Sequence, residues 1–556
     1  MPRDCAPVAR VGRVGRMSIA AFVALLSGAA FLAIAAPAPK PAALAGLWGD
    51  QNDGTFANPI LPSDYSDLDA IRVGDDFYAV SSTFQYSPGV VILHSRDLVS
   101  WTILGHAVSD LTQIGPEMNW DRMSRYGRGI WAGAIRYHDD KFWIYFGTPD
   151  EGYFMTTAKN PAGPWEPLHP VMKARGWDDC CPFWDDDGQG YLVGSNTSGG
   201  YQIHLFKMTS DGQQLIAGSD KVIHQSRGSE ANKLYKINGF YYHYYSEVRP
   251  EGRVIMMDRS KSLDGPWDTQ QLNHVSKTID KEPNQGGLIQ LASGDWWFIS
   301  HQGTGDWEGR AMVLLPITWI DGWPIIGTVG SDGIGNMVWS AKKPIAGVAA
   351  AVPQTSDEFN ETTLPPQWEW NYQPRADKWS LTERPGFLRL HAFKPIKPND
   401  LLSAGNTLTQ RAFRTDANEV TVKLDIAGMA DGQQAGLCHL AKAYSTLGVS
   451  QAGNVRTLTF DDAGKITAGA VLTGGDLWLR STWNLAGDSH YSYSTDGTTF
   501  TPFGPTYRLT WSYYRGDRLG IFSYNNKADA GYVDVDWFHV TMTMPPAVDH
   551  AATTHP

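Results

Sequence analysis

Residues 70–83 read AIRVGDDFYAVSST, two runs of β-branched, aromatic and small apolar residues on either side of a Gly-Asp-Asp turn. Val, Ile, Tyr and Phe suit a pleated, packed strand, and the turn residues tolerate the backbone angles of a tight reversal, so the stretch predicts a β-hairpin. The same unit returns at residues 134–148 (AIRYHDDKFWIYFGT), 182–196 (PFWDDDGQGYLVGSN), 234–247 (LYKINGFYYHYYSE) and 288–302 (LIQLASGDWWFISHQ). The five copies start 64, 48, 52 and 54 residues apart, which leaves room for two more strands in each unit. Segments 155–165 (MTTAKNPAGPW) and 257–267 (MDRSKSLDGPW) echo one another in that room. Four strands per unit, repeated five times, predicts an all-β, five-bladed β-propeller over residues 50–345.

Outward from the repeat, composition changes. Residues 346–355 are small, apolar and Pro-containing and read as a linker; a second Trp-rich, alternating region follows over 356–545 with no sustained helical period. It predicts a β-sandwich, and residues 546–556 predict a frayed tail. At the other end, Arg3, Arg10, Arg13 and Arg16 precede an apolar stretch from Met17 to Ala36, and Ala43-Leu44-Ala45 is a small-x-small sequence. Residues 1–45 predict a cleaved secretory signal, hence a periplasmic or secreted protein with no stable membrane association once it is removed; the rival is a retained anchor helix, since the stretch is about long enough to span a bilayer, but no polybasic stop-transfer pattern follows it.

The whole chain of 556 residues carries 46 Lys and Arg against 58 Asp and Glu, a net charge of −12, and no basic stretch lies beyond the extreme N-terminus. An electrostatic footprint for nucleic acid is missing. Past the signal only Cys180, Cys181 and Cys438 remain, too few for a disulfide framework and without zinc spacing. Adjacent Cys180 and Cys181 predict buried thiols, since neighbouring Cα atoms sit too close for an unstrained bridge.

Equivalent positions of propeller blades converge on one axis. Three residues before the first strand of their units stand Asp67, Trp131, Asp179 and Gln285, and Glu230 stands four before in the fourth unit. Three carboxylates and an indole are thus expected to face one axial pocket. Crowding and burial there would drive carboxyl pKa values apart, leaving one protonated and another ionised near neutral pH. That division suits hydrolysis of a glycosidic bond, in which one group protonates the leaving oxygen and another activates water or attacks the sugar. Plentiful Trp and Tyr suit stacking on sugar faces.

Residues 67–78 (DLDAIRVGDDFY), 129–136 (GIWAGAIR), 179–188 (DCCPFWDDDG) and 230–236 (EANKLYK) resemble the signature segments of glycoside hydrolase family 43. Residues 367–371 (QWEWN), 379–385 (WSLTERP) and 406–411 (NTLTQR) resemble the concanavalin A-like, jelly-roll sandwich of that family's β-xylosidases. The resemblance implies an inverting, exo-acting hydrolase that releases terminal pentose, β-1,4-linked xylose first and α-L-arabinofuranose as the alternative, from xylo-oligosaccharides or hemicellulose. It implies Asp67 as general base, Glu230 as general acid and Asp179 as the carboxylate that raises and orients that acid. Arg310, Phe84 and Trp131 match substrate-binding positions. His301 resembles an axial histidine that approaches a divalent ion, such as calcium, or a water cluster in some members, with a satisfied core histidine as the alternative, and the chemistry requires no cofactor. Leu68 and the Cys180-Cys181 pair depart from the family pattern. A rival of another class is a non-catalytic carbohydrate-binding protein, which would tolerate loss of any one carboxylate.

Overall fold

A computed structural model describes residues 48–275, 283–302 and 306–544; the expected signal and tail lie outside these. Each of the five sequence repeats forms an antiparallel hairpin: Asp69–Val73 with Asp76–Ser81, Gly133–His138 with Lys141–Thr148, Trp177–Trp184 with Gly190–Asn196, Glu230–Ile237 with Phe240–Arg249, and Pro283–Gln290 with Trp296–Gln302. Each gains two further strands, so five antiparallel sheets follow one another, and the fourth is widened by Thr328–Val329 and Gly335–Asn336. They are numbered I to V in chain order below.

The first strands of successive sheets touch in turn, and the first strand of sheet V returns to that of sheet I, closing a ring. Gly287 marks the closure: a Cβ there would lie 2.9 Å from Asp69 Oδ1 and 3.0 Å from the Ala70 nitrogen, so a side chain would push the two strands apart. Apolar clusters fill the spaces between neighbouring sheets, such as Val80, Ile92, Ile135 and Ile144 between sheets I and II.

The remaining chain forms two larger sheets face to face. One runs, by position, Lys465–Leu472, Val455–Asp462, Tyr444–Ala452, Gln433–Leu440, Arg518–Asn525, Leu408–Arg411, Glu369–Asn371. The other contains Leu388–His391, Tyr532–Met542, Ala417–Asp425, Asp476–Asn484 and Asp488–Ser494. Strand alternation supplies the core between them: Val420, Val422 and Leu424 from one sheet and Leu437, Leu447 and Ile521 from the other are fully buried. Ring and sandwich belong to one compact unit. The segment expected to link them carries no strand, yet Gln354 bonds both the N–H (3.1 Å) and the carbonyl (3.1 Å) of Ile103 in sheet I.

Two exchanges across the seam were absent from the sequence reading. Tyr86–Ser87, from the ring, pairs with Glu369–Asn371 as the edge strand of the sandwich's first sheet. Trp307, also from the ring, is buried in the sandwich core, its indole donating to Leu485 O at 3.2 Å. A buried ionic cluster holds the same seam. Glu369 Oε1 meets Arg411 Nη1 (2.8 Å) and His106 Nε2 (2.9 Å) of sheet I, while Oε2 meets Arg518 Nη1 (2.5 Å). Burial works to raise the Glu369 pKa, but Arg411, Arg518 and the His106 bond together hold it well below the carboxylate range.

Removing one partner of such a cluster strands the others without compensation, so Glu369→Ala should lower stability by about 3–5 kcal/mol in urea denaturation followed by Trp fluorescence. A loss too small to measure would show that the seam does not depend on this carboxylate.

Candidate active site

Backbone irregularity places the acidic groups. The offset expected from sequence is corrected: Asp179 and Gln285 lie inside their first strands and Glu230 opens its own, each at or beside a shift of register, at Asp178/Cys181, Glu230/Lys233 and Pro283/Gly286. A bulge lets the ladder continue while re-aiming side chains, here toward one end of the ring. Asp67 (φ 57°), Phe84 (φ 55°), Asp179 (φ 52°) and Ala231 (φ 69°) all occupy the left-handed region, an uncommon conformation for such residues that clusters at functional sites.

These side chains converge. A cavity of about 400 Å³ is lined by Asp67, Phe84, Trp131, Asp179, Glu230 and Arg310, all expected from sequence, together with Asp178, Arg253, Tyr201 and Tyr514, which were not. Asp67 is fully engaged: Oδ2 accepts from Ser82 Oγ at 2.6 Å, Oδ1 from Arg310 Nη1 at 2.8 Å, and its N–H donates to His301 Nδ1 at 2.6 Å. Asp179 Oδ2 accepts from the Ala231 N–H, and Oδ1 from Gln285 Nε2 at 3.4 Å. Glu230 pairs with Arg253 Nη2 at 3.1 Å and leaves 29% of its side chain open to the cavity. Arg253 is braced in turn by Gly228 O (2.8 Å) and Ser246 Oγ (3.0 Å).

Three different environments result. Burial first, then the charges of Glu230 and Asp67, pushes Asp179 up to about 7. Burial also raises Glu230, against the opposing pull of Arg253 and Arg310. Asp178, half-buried beside Asp179 with its Oδ1 buried and unpartnered among the described residues, is raised well above the usual range by burial and then by its neighbour's charge. A protonated acid and an ionised carboxylate can therefore coexist here near neutral pH.

The mouth is completed from the sandwich. Ser512 and Arg515 exchange backbone hydrogen bonds of 3.0 and 3.2 Å around a two-residue turn, in which Tyr513 (φ 48°) and Tyr514 (φ 65°) fill positions that favour Asn and Gly. The Tyr514 ring lies 4.9 Å from the Arg310 guanidinium and 6.3 Å, edge-on, from Trp131. Below it, buried Arg515 sits among the rings of Phe84, Tyr86 and Tyr126 at 5.1, 4.8 and 4.8 Å. No local motif marks Tyr-Tyr-Arg as a site; only the fold brings it across. Arg253 stands on a middle strand and carries no signal in sequence.

His301, expected from sequence near a divalent ion, is buried against Asp67. Burial, then Arg310 and two further cations, drives its pKa well below the ordinary value, so the ring is neutral. Because Nδ1 accepts from Asp67 N–H, the single proton sits on Nε2 and occupies the lone pair a metal would need. Among the described residues no group of three or more His, Cys, Asp or Glu is placed to hold an ion. Asp357 and Asp536, which bracket the sandwich, are spent on Trp368 Nε1 (2.7 Å) and Lys423 (2.7 Å). Cys180, Cys181 and Cys438 are free, buried thiols, as expected.

Residues 56–324 match glycosyl hydrolases family 43, and residues 356–541 match the β-xylosidase C-terminal concanavalin A-like domain. A β-xylosidase of Formosa agariphila is 36% identical over 91% of this chain and 93% of its own length. The chain belongs to glycoside hydrolase family 43. A non-reducing end α-L-arabinofuranosidase of Bacteroides ovatus is 34% identical over 60% of this chain and 65% of that one. The crystal structure of a family 43 protein from Bacillus licheniformis, 25% identical, superposes with a TM-score of 0.77 over 88% of this chain and all of its own. This family 43 protein is a glycosidase, and its substrate is a carbohydrate.

Asp179 titrates higher in the folded chain than in the unfolded one, so its ionisation opposes folding. The penalty is absent below the unfolded value near 3.8, grows as pH rises toward the folded value near 7, and levels off above it. Asp179→Asn should thus raise the melting temperature by roughly 2 °C at pH 8, with the gain fading toward pH 4, while activity is lost. Equal melting at both pH values would show that Asp179 carries no such penalty.

Proposed function

We propose that the five sheets form a five-bladed propeller and that this glycosidase is an exo-acting, inverting enzyme that releases terminal xylose from β-1,4-linked xylo-oligosaccharides. The observation that carries the reading is the separation of Asp67, Asp179 and Glu230 into three environments inside one small cavity. Walls from two domains, Phe84 and Trp131 on the ring and Tyr514 on the sandwich, support admission of a chain end rather than a chain middle. The name of the Formosa relative favours xylose, and that of the Bacteroides relative keeps α-L-arabinofuranose as the second substrate reading. The Arg-rich, then apolar, leader supports an exported enzyme acting outside the cytoplasm.

In this mechanism Arg310 and Ser82 fix the Asp67 carboxylate as general base. It takes a proton from water as the water oxygen bonds to the anomeric carbon. Glu230, kept protonated by burial and by neighbouring negative charge, gives its proton to the departing glycosidic oxygen as that bond breaks. Asp179 shares the cluster's protons and so tunes the acid. Arg253 positions Glu230.

Loss of the acid should depend on the leaving group. Glu230→Gln should slow hydrolysis of xylobiose by on the order of 10²–10⁴-fold and spare much more of the activity on a nitrophenyl xyloside, which needs little protonation. Asp67→Asn should slow both substrates comparably. Proton NMR of the first sugar released should show inverted anomeric configuration; retention would make Asp67 a nucleophile and overturn the assignment.

The turn from the sandwich has its own signature. Tyr514→Ala opens one wall without touching a carboxylate, so it should raise KM for xylobiose more than it lowers kcat. A fall in kcat with unchanged KM would remove Tyr514 from substrate binding.

A further inference from the structure

The family resemblance carries an expectation of a divalent cation on the ring's axis, and the groups beneath the cavity already fill that electrostatic role. Inward from Asp67, the next carboxylate is Asp69, fully buried, whose Oδ2 accepts from Arg136 Nη1 at 2.6 Å and from the Ile135 N–H at 3.0 Å. Arg136 reaches on to Cys181 Sγ at 2.8 Å and lies 5.7 Å from the Tyr235 ring. Two residues before Tyr235, and so on the same face of the strand, stands Lys233. It is fully buried, and among the described residues its Nζ has no hydrogen-bond partner.

A buried, unpartnered ammonium is expensive unless anions surround it. Its charge reaches Asp179, the His301 ring, Cys180 and Cys181. With Asp178 protonated, as burial and the charge of Asp179 favour, formal charges around the axis balance: Asp67, Asp69, Asp179 and Glu230 stand against Arg136, Lys233, Arg253 and Arg310. A divalent ion would add two positive charges to a balanced set, beside a lysine that cannot withdraw, and would find the His301 Nε2 lone pair protonated. Protonation of Asp179 or Glu230 only deepens that mismatch.

We propose that the Lys233 ammonium supplies, as a tethered monovalent cation, the axial positive charge that a metal ion would otherwise provide, so that this enzyme holds no divalent ion on its axis and Lys233 tunes the Asp179–Glu230 pair. Lys233 is a positioning residue: it acts on the reaction through Asp179. The groups that face Asp179 are Asp178 and Cys180 on its own strand, Glu230 and Lys233 from sheet IV, Asp67 from sheet I and the Gln285 amide from sheet V. Only Lys233 among them lowers its pKa by charge. The tuning rests on the catalytic reading above; the claim about metal does not.

Two measurements on the full chain test it. The EDTA-treated protein is melted with and without millimolar calcium or magnesium, and pH–rate profiles on a nitrophenyl xyloside are recorded for the parent chain, Lys233→Arg and Lys233→Met. The melting temperature should not respond to either ion, and EDTA should leave the rate unchanged. Loss of a nearby opposite charge should move the whole Lys233→Met profile upward by about one pH unit, with the Lys233→Arg profile close to that of the parent. A calcium-dependent rise of several degrees in melting temperature would overturn the proposal, as would a Lys233→Met enzyme that is only less stable, with its profile in place. Should Lys233→Met fail to fold, the melting response of the parent and the Lys233→Arg profile still decide. If no pentoside is hydrolysed at all, the catalytic reading fails while the metal result stands by itself.

Discussion

Four acidic side chains, Asp67, Asp178, Asp179 and Glu230, share one end of a closed ring of strands, inside walls that exclude much of the water that would screen them. Their mutual repulsion and burial is the constraint around which the remaining polar groups are arranged. Arg310 answers Asp67, Arg253 answers Glu230, and the Ala231 N–H and Gln285 amide answer Asp179. Among the described residues Asp178 has no cation paired with it, only the backbone N–H of Asp179, and carries its charge least readily. Because each carboxyl has a different partner, equal chemistry in sequence becomes unequal chemistry in place. That inequality is what acid–base hydrolysis needs, and its stability cost falls on the site rather than on the ring's apolar interfaces.

The second domain belongs to this arrangement. Phe84 lies two residues before the Tyr86–Ser87 edge strand that the sandwich captures, and Arg310 lies three residues after Trp307, which the sandwich core buries. Gly309, between them, leaves no room for a side chain, since its Cβ would fall 2.5 Å from Asp64. Two cavity-lining groups therefore take their positions from sandwich packing, and a third, Tyr514, comes from the sandwich itself. Arg515 clamps the same seam through ring faces: its buried guanidinium lies 5.1, 4.8 and 4.8 Å from Phe84, Tyr86 and Tyr126, and that aromatic cage surrounds its charge. Strain in the Tyr513-Tyr514 turn persists because both rings are held from outside, Tyr513 by Lys442 Nζ at 2.9 Å and Tyr514 by Arg310 and Trp131.

The repeat at residues 70–83 exposed the hairpins because a hairpin is local: its turn chemistry and its alternation lie within fifteen residues. The convergence of Asp67, Asp179 and Glu230 was legible for a related reason, since a repeated unit that closes on itself carries equivalent positions to one axis. Their placement within the strands was not, because a bulge is decided by cross-strand register that no single strand encodes. Arg253, Tyr514 and the Tyr86–Ser87 strand exchange escaped for want of any local pattern; each depends on a contact between segments far apart in sequence. His301 was found as an axial residue, yet its chemistry was decided by one hydrogen bond to a backbone N–H, which residue type alone cannot show. Lys233 was overlooked because a lysine in a strand reads as solvated until the ring closes over it.

Division of labour between the domains also bears on how such chains diverge. The carboxyls stand on strands whose bulges, ion pairs and apolar clusters are shared with the ring, so displacing one disturbs several sheets at once. Tyr514 stands on a two-residue turn between a short bridge and the Arg518–Asn525 strand, where its ring can be exchanged without loss of either core. On the proposed reading, the carboxyls at the bond are thus the hardest groups to change, and one wall of the cavity is among the easiest. Relatives carry names for xylose and for arabinofuranose, and on the proposed reading a wall drawn from the second domain is where a change of sugar would disturb the carboxyl cluster least.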